Sequence, residues 1–278
     1  MKRLDLHTHS TASDGTFSPR DLVILARNSG LAGLGLCDHD TVEGVPELKR
    51  AGQELGFLVI GGVELSVEFS GITHVLGLDL AGSPETPLAL AELQAFRLRR
   101  NKVMFERLLG LGLELSWERV QAISGGGQMG RPHLARALIE KGYCQSVQEA
   151  FNKYLGKGRP AYVPKKRLSP REAFDLLSQV GFAPVLAHPH SLGLSEGQWL
   201  EVLPEWQNQG LLGLEVYHPD HGQAERRLFF GLARRFDLVI TAGSDFHGAV
   251  KRVPITWVKD HSPVGLEALG RLRSRLAK

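Results

Sequence analysis

Short apolar runs alternate with amphipathic segments along most of the chain. Arg3 to Leu6, Leu34 to Cys37 and Phe57 to Ile60 are too short for helices and are bounded by turn residues, so they read as strands. Ser18-Pro19-Arg20-Asp21 has the form of a helix start, with a serine N-cap, proline in the first helical position and an acid in the third. Leu22, Val23, Leu25 and Ala26 follow at helical spacing until Gly30, and a second helix is predicted over about Val45 to Leu55. Val67 to Phe69 and Thr73 to Leu78, separated by Ser70-Gly71, read as a hairpin carrying His74. From Pro84 the texture changes. Residues 86–112 form one long cation-rich helix whose Arg97, Arg99, Arg100, Lys102 and Arg107 read as a solvated face, and shorter helices follow at about 117–123, 132–141 and 146–155. The alternation resumes at Ser169-Pro170-Arg171-Glu172, a second capping signature opening a helix to about Val180. Strands at Pro184–Ala187, Leu212–Val216 and Leu238–Thr241 then alternate with helices near 197–209 and 223–235, and a closing helix spans about 263–276.

About seven strands, mostly separated by helices, predict an α/β class fold closed into a TIM-like barrel rather than a sandwich. Residues 1–83 and 166–278 would make the barrel, and 84–165 an inserted helical subdomain that caps the substrate. A hydrophobic content of 42% over 278 residues supplies a sizeable core. Two cysteines, Cys37 and Cys144, are too few for a disulfide framework; with no targeting pattern at the start, a cytoplasmic location is expected. No apolar run approaches the roughly 18 residues of a membrane span, so no membrane association is expected, and no obligate protein partner is evident. A net charge of +3 suits a phosphorylated substrate and suits plain solubility equally well.

Candidate chemistry sits where the predicted strands end. His7-Thr8-His9 follows the first strand, and alternation in an extended backbone points both imidazoles to one side. Asp14 lies just beyond. The second strand ends in Asp38-His39-Asp40, the third in Gly62-Val63-Glu64, the fifth segment carries His74, and later ones end in His188-Pro189-His190, Tyr217-His218-Pro219-Asp220-His221 and Gly243-Ser244-Asp245-Phe246-His247. A single such histidine reads equally well as a packing residue. Segment after segment delivering His, Asp or Glu to the same end of a barrel points instead to a shared metal site, because barrels carry their chemistry at the carboxyl ends of the strands. His7, His9, Asp14, His39, Glu64, His74, His188, Asp245 and His247 exceed what one ion can use, so two or three divalent ions with a bridging carboxylate are expected. Such a cluster suits phosphate-ester hydrolysis, and its mixed donors suit Mn²⁺, Fe²⁺ or Zn²⁺. Asp5, Asp38 and Asp40 read as residues that orient ligands or turns.

Taken together, His7-x-His9, Ser13-Asp14-Gly15, Asp38-His39-Asp40, Gly62-Val63-Glu64, Ala187-His188-Pro189 and Gly243-Ser244-Asp245-Phe246-His247 resemble the PHP (polymerase and histidinol phosphatase) family. The resemblance implies a distorted seven-stranded β/α barrel with a bi- or trinuclear centre. His7, His9, Glu64 and Asp245 would hold the first metal, Glu64 with His74 and His188 the second, and Asp14, His39 and His247 a third, with a hydroxide bridging two metals as nucleophile. Gly130-Arg131-Pro132-His133, Ala150-Phe151 and Ala161-Tyr162-Val163-Pro164 resemble the branch of nucleoside 3′,5′-bisphosphate phosphatases and 5′→3′ exoribonucleases. A phosphorylated nucleotide or oligonucleotide is therefore the expected substrate. Arg131, whose planar guanidinium matches a phosphate, is its expected ligand together with His133. His190, His218 and His221 are candidates for protonating the leaving oxygen. Many of these relatives carry Gly-Arg where this chain has His190-Ser191, which leaves open a phosphatase for another small phosphomonoester such as histidinol phosphate. A PHP module that binds metal or nucleic acid without turnover is the non-enzymatic alternative.

Overall fold

The computed structural model describes residues 3–80, 88–125, 127, 129–165 and 167–277, with the side chains of 88–90, 92 and 93 left aside. The expected texture change at Pro84, the first two residues of the 86–112 helix and the subdomain boundary at 166 lie outside the described residues.

Seven strands form one sheet in sequence order: β1 (Leu4–Thr8), β2 (Gly33–Leu36), β3 (Leu58–Val67), β4 (Thr73–Asp79), β5 (Phe182–Leu186), β6 (Gly213–Tyr217) and β7 (Val239–Ala242). β1, β2 and β3 are mutually parallel, as are β5, β6 and β7, while β4 runs antiparallel between the two sets. The sheet nearly closes where the end of β1 meets the segment after β7, through a Thr8–Phe246 bridge and backbone bonds from Asp245 N to His7 O and His9 N to Phe246 O, both 2.9 Å. Because β4 is reversed, its beginning lies at the rim where the other strands end, and this is how His74 joins them.

α1 (Pro19–Asn28) and α2 (Val45–Leu55) cover β1–β3, and α7 (Pro170–Gln179), α8 (Glu196–Asn208) and α9 (Gln223–Arg235) cover β5–β7. The cap signatures act as predicted: Ser18 accepts from the Asp21 amide, and Ser169 and Glu172 form a reciprocal capping box. Apolar faces meet in three barrel cores, one against α7–α9, one beneath α1 and α2, and one against α10 (Trp257–His261) and α11 (Leu266–Leu276). α3 (Leu88–Gly110), α4 (Trp117–Ile123), α5 (Arg131–Glu140) and α6 (Val147–Ala150), with a wide helical turn over Phe151–Leu155, pack around their own core of Met104, Leu108, Val120, Leu134, Leu138 and Leu155.

Three local expectations are corrected and one element is added. β1 continues through His7 and Thr8. The third strand does not end at Ile60: β3 runs ten residues, Leu58–Val67, and reaches only the first residue of the expected hairpin arm. Its glycines make room instead of turning, since a Cβ on Gly61 would stand 2.5 Å from Val45 and one on Gly62 2.6 Å from the Gly77 carbonyl. The closing helix stands as α11, but an additional short helix not expected from the sequence, α10, precedes it, ending before Ser262-Pro263 where proline disfavours helix in the residue before it. Finally, Arg97 and Arg100 are buried rather than part of a solvated face, because their turn of α3 packs against the barrel rim.

Gly35 controls how closely β1 and β2 approach: a Cβ there would stand 2.7 Å from the Leu6 carbonyl oxygen, one residue from His7. Gly35→Ala is expected to cost about 1–3 kcal/mol by overpacking, read as a lower urea midpoint at unchanged m-value.

Candidate metal centre

β1 carries His7 inward and Thr8 outward, where its hydroxyl donates to the Gly35 carbonyl at 2.7 Å; His9 follows on the inner side. The next loop folds back on itself. Asp38 accepts from Ser10 N, Ser10 Oγ and Ser13 Oγ, which presents Asp14 to the rim. Asp5 accepts from Ser244 N (3.0 Å), Ser244 Oγ (2.6 Å) and His7 N (3.2 Å), so it ties β1 to the loop bearing Asp245 and His247. Burial lifts the Asp5 carboxyl to about 7 against these hydrogen bonds. Asp40, His188 and Asp245 all have positive φ (55°, 25° and 50°), and non-glycine residues so strained concentrate at functional sites.

The nine residues marked as ligands by the sequence converge. His7 Nε2 and His9 Nε2 are 3.2 Å apart. His7 Nε2 stands 3.5 Å from Glu64 Oε1 and from Asp245 Oδ1, and His9 Nε2 stands 3.3 Å from Glu64 Oε2 and 3.1 Å from Asp245 Oδ1. On the other side of Glu64, Oε1 lies 2.7 Å from His74 Nδ1 and 3.0 Å from His188 Nε2, while Oε2 lies 2.9 Å from His39 Nδ1. Asp14 completes a third group, 3.3 Å from His247 Nε2 and 4.0 Å from His39 Nε2.

This donor set fits divalent cations. Donor atoms 3.1–3.5 Å apart around a common point match the edges of a polyhedron with bonds of about 2.0–2.2 Å. Glu64 Oε2 and His39 Nδ1 are buried with no hydrogen-bond partner among the described residues, their mutual approach being poorly aligned for one. Burial opposes charge on Glu64, yet His74, His39 and His7 draw its pKa well below the carboxylate range. Burial likewise opposes a proton on His9, but Asp245 and Glu64 carry it up to about 9. Lys251 pairs with Asp245 Oδ2. Protons and an ammonium thus balance carboxylates that metal ions would balance in a loaded centre.

Sequence reasoning missed Glu215. This fully buried carboxylate takes His7 Nδ1 at 3.1 Å and the His188 amide at 2.7 Å, fixing one ligand's ring and another's backbone. A carboxylate in the middle of the otherwise apolar Gly213-Leu214-Glu215-Val216 was the available signal. Also unforeseen is the charge of the cleft beside the centre, lined by Arg97, Arg100, Arg131, Lys165 and Arg167 with Phe151 and Tyr162. Arg131 reaches this cleft from the start of α5, its guanidinium 5.0 Å above the Phe151 ring. His133 is turned into its own helix start, where Nδ1 accepts from Gly130 N at 2.9 Å. His190 and His218 line a second cleft of about 280 Å³ over Glu64 and Asp245, with His221 packed behind them. Cys37 is a packing residue, and His261 is exposed and stacked on Trp257.

Comparison with known proteins agrees with this geometry. The model of the PHP domain matches residues 5–164. A 5′-3′ exoribonuclease of Haemophilus influenzae is 32% identical over 261 residues, covering 93% of each chain. A 3′,5′-nucleoside bisphosphate phosphatase of Chromobacterium violaceum is 30% identical over 89% of this chain and 88% of its own. A crystal structure from Bifidobacterium adolescentis, assigned as a metal-dependent phosphoesterase, superposes with a TM-score of 0.86 at 30% identity over 99% of this chain and 96% of that one.

Glu215→Ala is expected to weaken divalent-metal binding about 10–100-fold, the usual effect of removing a partner that orients ligands. Calorimetric titration of the metal-free protein measures it, and an isotherm equal to that of the parent protein would detach Glu215 from the centre.

Proposed function

The chain belongs to the PHP-domain family and is a metal-dependent phosphoesterase, and from that premise we propose that its substrate is a phosphate ester of a nucleotide or short oligonucleotide. The observation that carries this reading is the cationic cleft with aromatic walls that shares Asp14, His39 and His74 with the metal centre.

Its cations outnumber the carboxylate that serves them. Asp40 takes Arg97 Nη1 at 2.8 Å and Lys165 Nζ at 2.6 Å; among the described residues it is the carboxylate paired with this group. Burial, then the neighbouring Arg131 and Arg97, push Arg100 down to about 10, and burial brings Lys165 to about 8 despite Asp40. Charges held at such cost stabilise an anion that enters. Arg131 makes one long hydrogen bond, to Leu155 O at 3.4 Å, and lies between Phe151 and Tyr162. Guanidinium and aromatic planes together suit a phosphate next to a nucleobase. The same surplus of positive charge disfavours histidinol phosphate, whose amine would be repelled. The two relatives described above are named for RNA and nucleoside bisphosphate substrates, which supports the same reading.

In this reading His7, His9, Glu64 and Asp245 hold one divalent ion, Glu64 with His74 and His188 a second, and Asp14, His39 and His247 a third, with Mn²⁺, Fe²⁺ and Zn²⁺ as candidates. Bound ions supply Lewis acidity toward a phosphoryl oxygen and acidify water. Glu215 keeps the His7 and His188 donors aimed inward. Arg131, with Arg100 and Lys165 beside it, fixes the part of the substrate that does not react, which sets the scissile phosphate over Glu64. Ser191 Oγ accepts a hydrogen bond from His188 Nδ1–H at 2.9 Å and donates one to the Ile72 carbonyl at 2.6 Å, which keeps the ring proton on Nδ1 and the Nε2 lone pair available to ligate.

Release of inorganic phosphate from adenosine 3′,5′-bisphosphate, and of inorganic phosphate or mononucleotides from 5′-phosphorylated RNA, with Mn²⁺ and after chelation, tests the proposal. Turnover lost on chelation is expected; no turnover of either substrate by metal-loaded protein would refute it. Arg131→Ala is expected to raise KM about 10–100-fold, equivalent to about 1.4–2.8 kcal/mol, with a smaller effect on kcat. Glu64→Gln and Asp245→Asn should abolish turnover while far-ultraviolet circular dichroism stays native.

A further inference from the structure

His190, His218 and His221 come from two different strand ends, and their ring nitrogens lie within 4.8 Å of one another. His218 and His221 are 2% and 1% exposed. Yet His190 Nδ1, His218 Nε2 and His221 Nε2 have no hydrogen-bond partner among the described residues. Buried polar atoms left in that state cost about 1–3 kcal/mol each unless a further species satisfies them. None of the three belongs to the ligand sets assigned above.

The geometry points to a separate site for a divalent transition cation of the zinc class, held by His190, His218 and His221. The donor chemistry supports this at each ring. His221 donates from Nδ1 to the Val216 carbonyl at 2.9 Å, which leaves the lone pair on Nε2 facing the cluster, the usual arrangement of a metal-ligating histidine. Burial holds His221 down to about 4, so this lone pair is available at neutral pH. His218 Nδ1 accepts from the Asp220 amide at 3.2 Å, which places the ring proton on Nε2; ligation through Nε2 gives up that bond and moves the proton to Nδ1, with the Asp220 carboxylate 3.9 Å away as the nearby anion. Two carboxylates adjoin the group: Asp220 flanks it, and Asp245 Oδ2, which also pairs with Lys251, lies 3.8 Å from His218 Nε2. Three neutral nitrogens select zinc-like ions over Mn²⁺ or Mg²⁺, in contrast with the carboxylate-bearing centre. His190 and His218 line the cleft over Glu64, so an ion bound here keeps a face toward substrate.

Crystals of the full chain soaked in Zn²⁺ and measured at the zinc edge test the assignment independently of turnover. An anomalous peak about 2.0–2.1 Å from the three nitrogens is expected. Metal analysis of Zn²⁺-saturated protein should give one equivalent fewer for His190→Ala, a half-buried position that the fold tolerates. No anomalous peak among the three rings while the Glu64 centre is filled would overturn the proposal, as would equal metal content in the variant and the parent protein. Density for water or phosphate at this point, without anomalous signal, would also overturn it and return the three histidines to proton transfer.

Discussion

One buried carboxylate organises this molecule. Glu64 is met within 3.5 Å by imidazoles of His7, His9, His39, His74 and His188, which come from β1, the loop after it, the end of β2, the start of β4 and the end of β5. A lone carboxylate in such a place would neutralise by taking a proton. Surrounded by nitrogen donors it stays charged, and the barrel converges on it. The reversed β4 and the positive φ at His188 both serve that convergence, since without them two of the five rings would face elsewhere.

Much of this was legible in the sequence because the periodicities are clean and the caps conventional. α1 and α7 are set by serine N-caps and apolar spacing, and α2 and α9 by apolar spacing alone, so their extents follow from local chemistry. The ligand residues were legible for another reason: they are polar residues placed immediately after apolar strands, and in a barrel all such places share a rim. Glu215 escaped notice because it stands within its strand rather than beyond it, where the pattern reads simply as core. Gly61-Gly62 misled because glycine serves turns and close packing alike, and only the neighbouring strand decides between them. The arginines of α3 were read as solvated because helical spacing alone does not say which turn meets another part of the chain.

The two sides of the centre differ in character. Toward α3 and α5 lie cations and aromatic rings; toward β6 lie imidazoles and Asp220. Ile72, at the tip of the β3–β4 hairpin, borders both clefts and is clamped by Ser191 from below. A ligand spanning the centre would therefore meet phosphate-binding chemistry on one side and metal-binding or proton-handling chemistry on the other. This asymmetry comes from the helical segment between β4 and β5 on one flank and from the barrel's own loops on the opposite flank.

The seam where β1 meets the segment after β7 also bears on how the protein is made. Its backbone bonds join His7 and His9 to Asp245 and Phe246, so β1 stays unpartnered on that side until the segment after β7 has been made. Contacts of such long sequence separation form late. A nascent chain halted before β7 would carry seven of the nine donor residues, lacking Asp245 of the first set and His247 of the third. The first and third donor sets are therefore complete only once the segment after β7 has been made and the seam has closed.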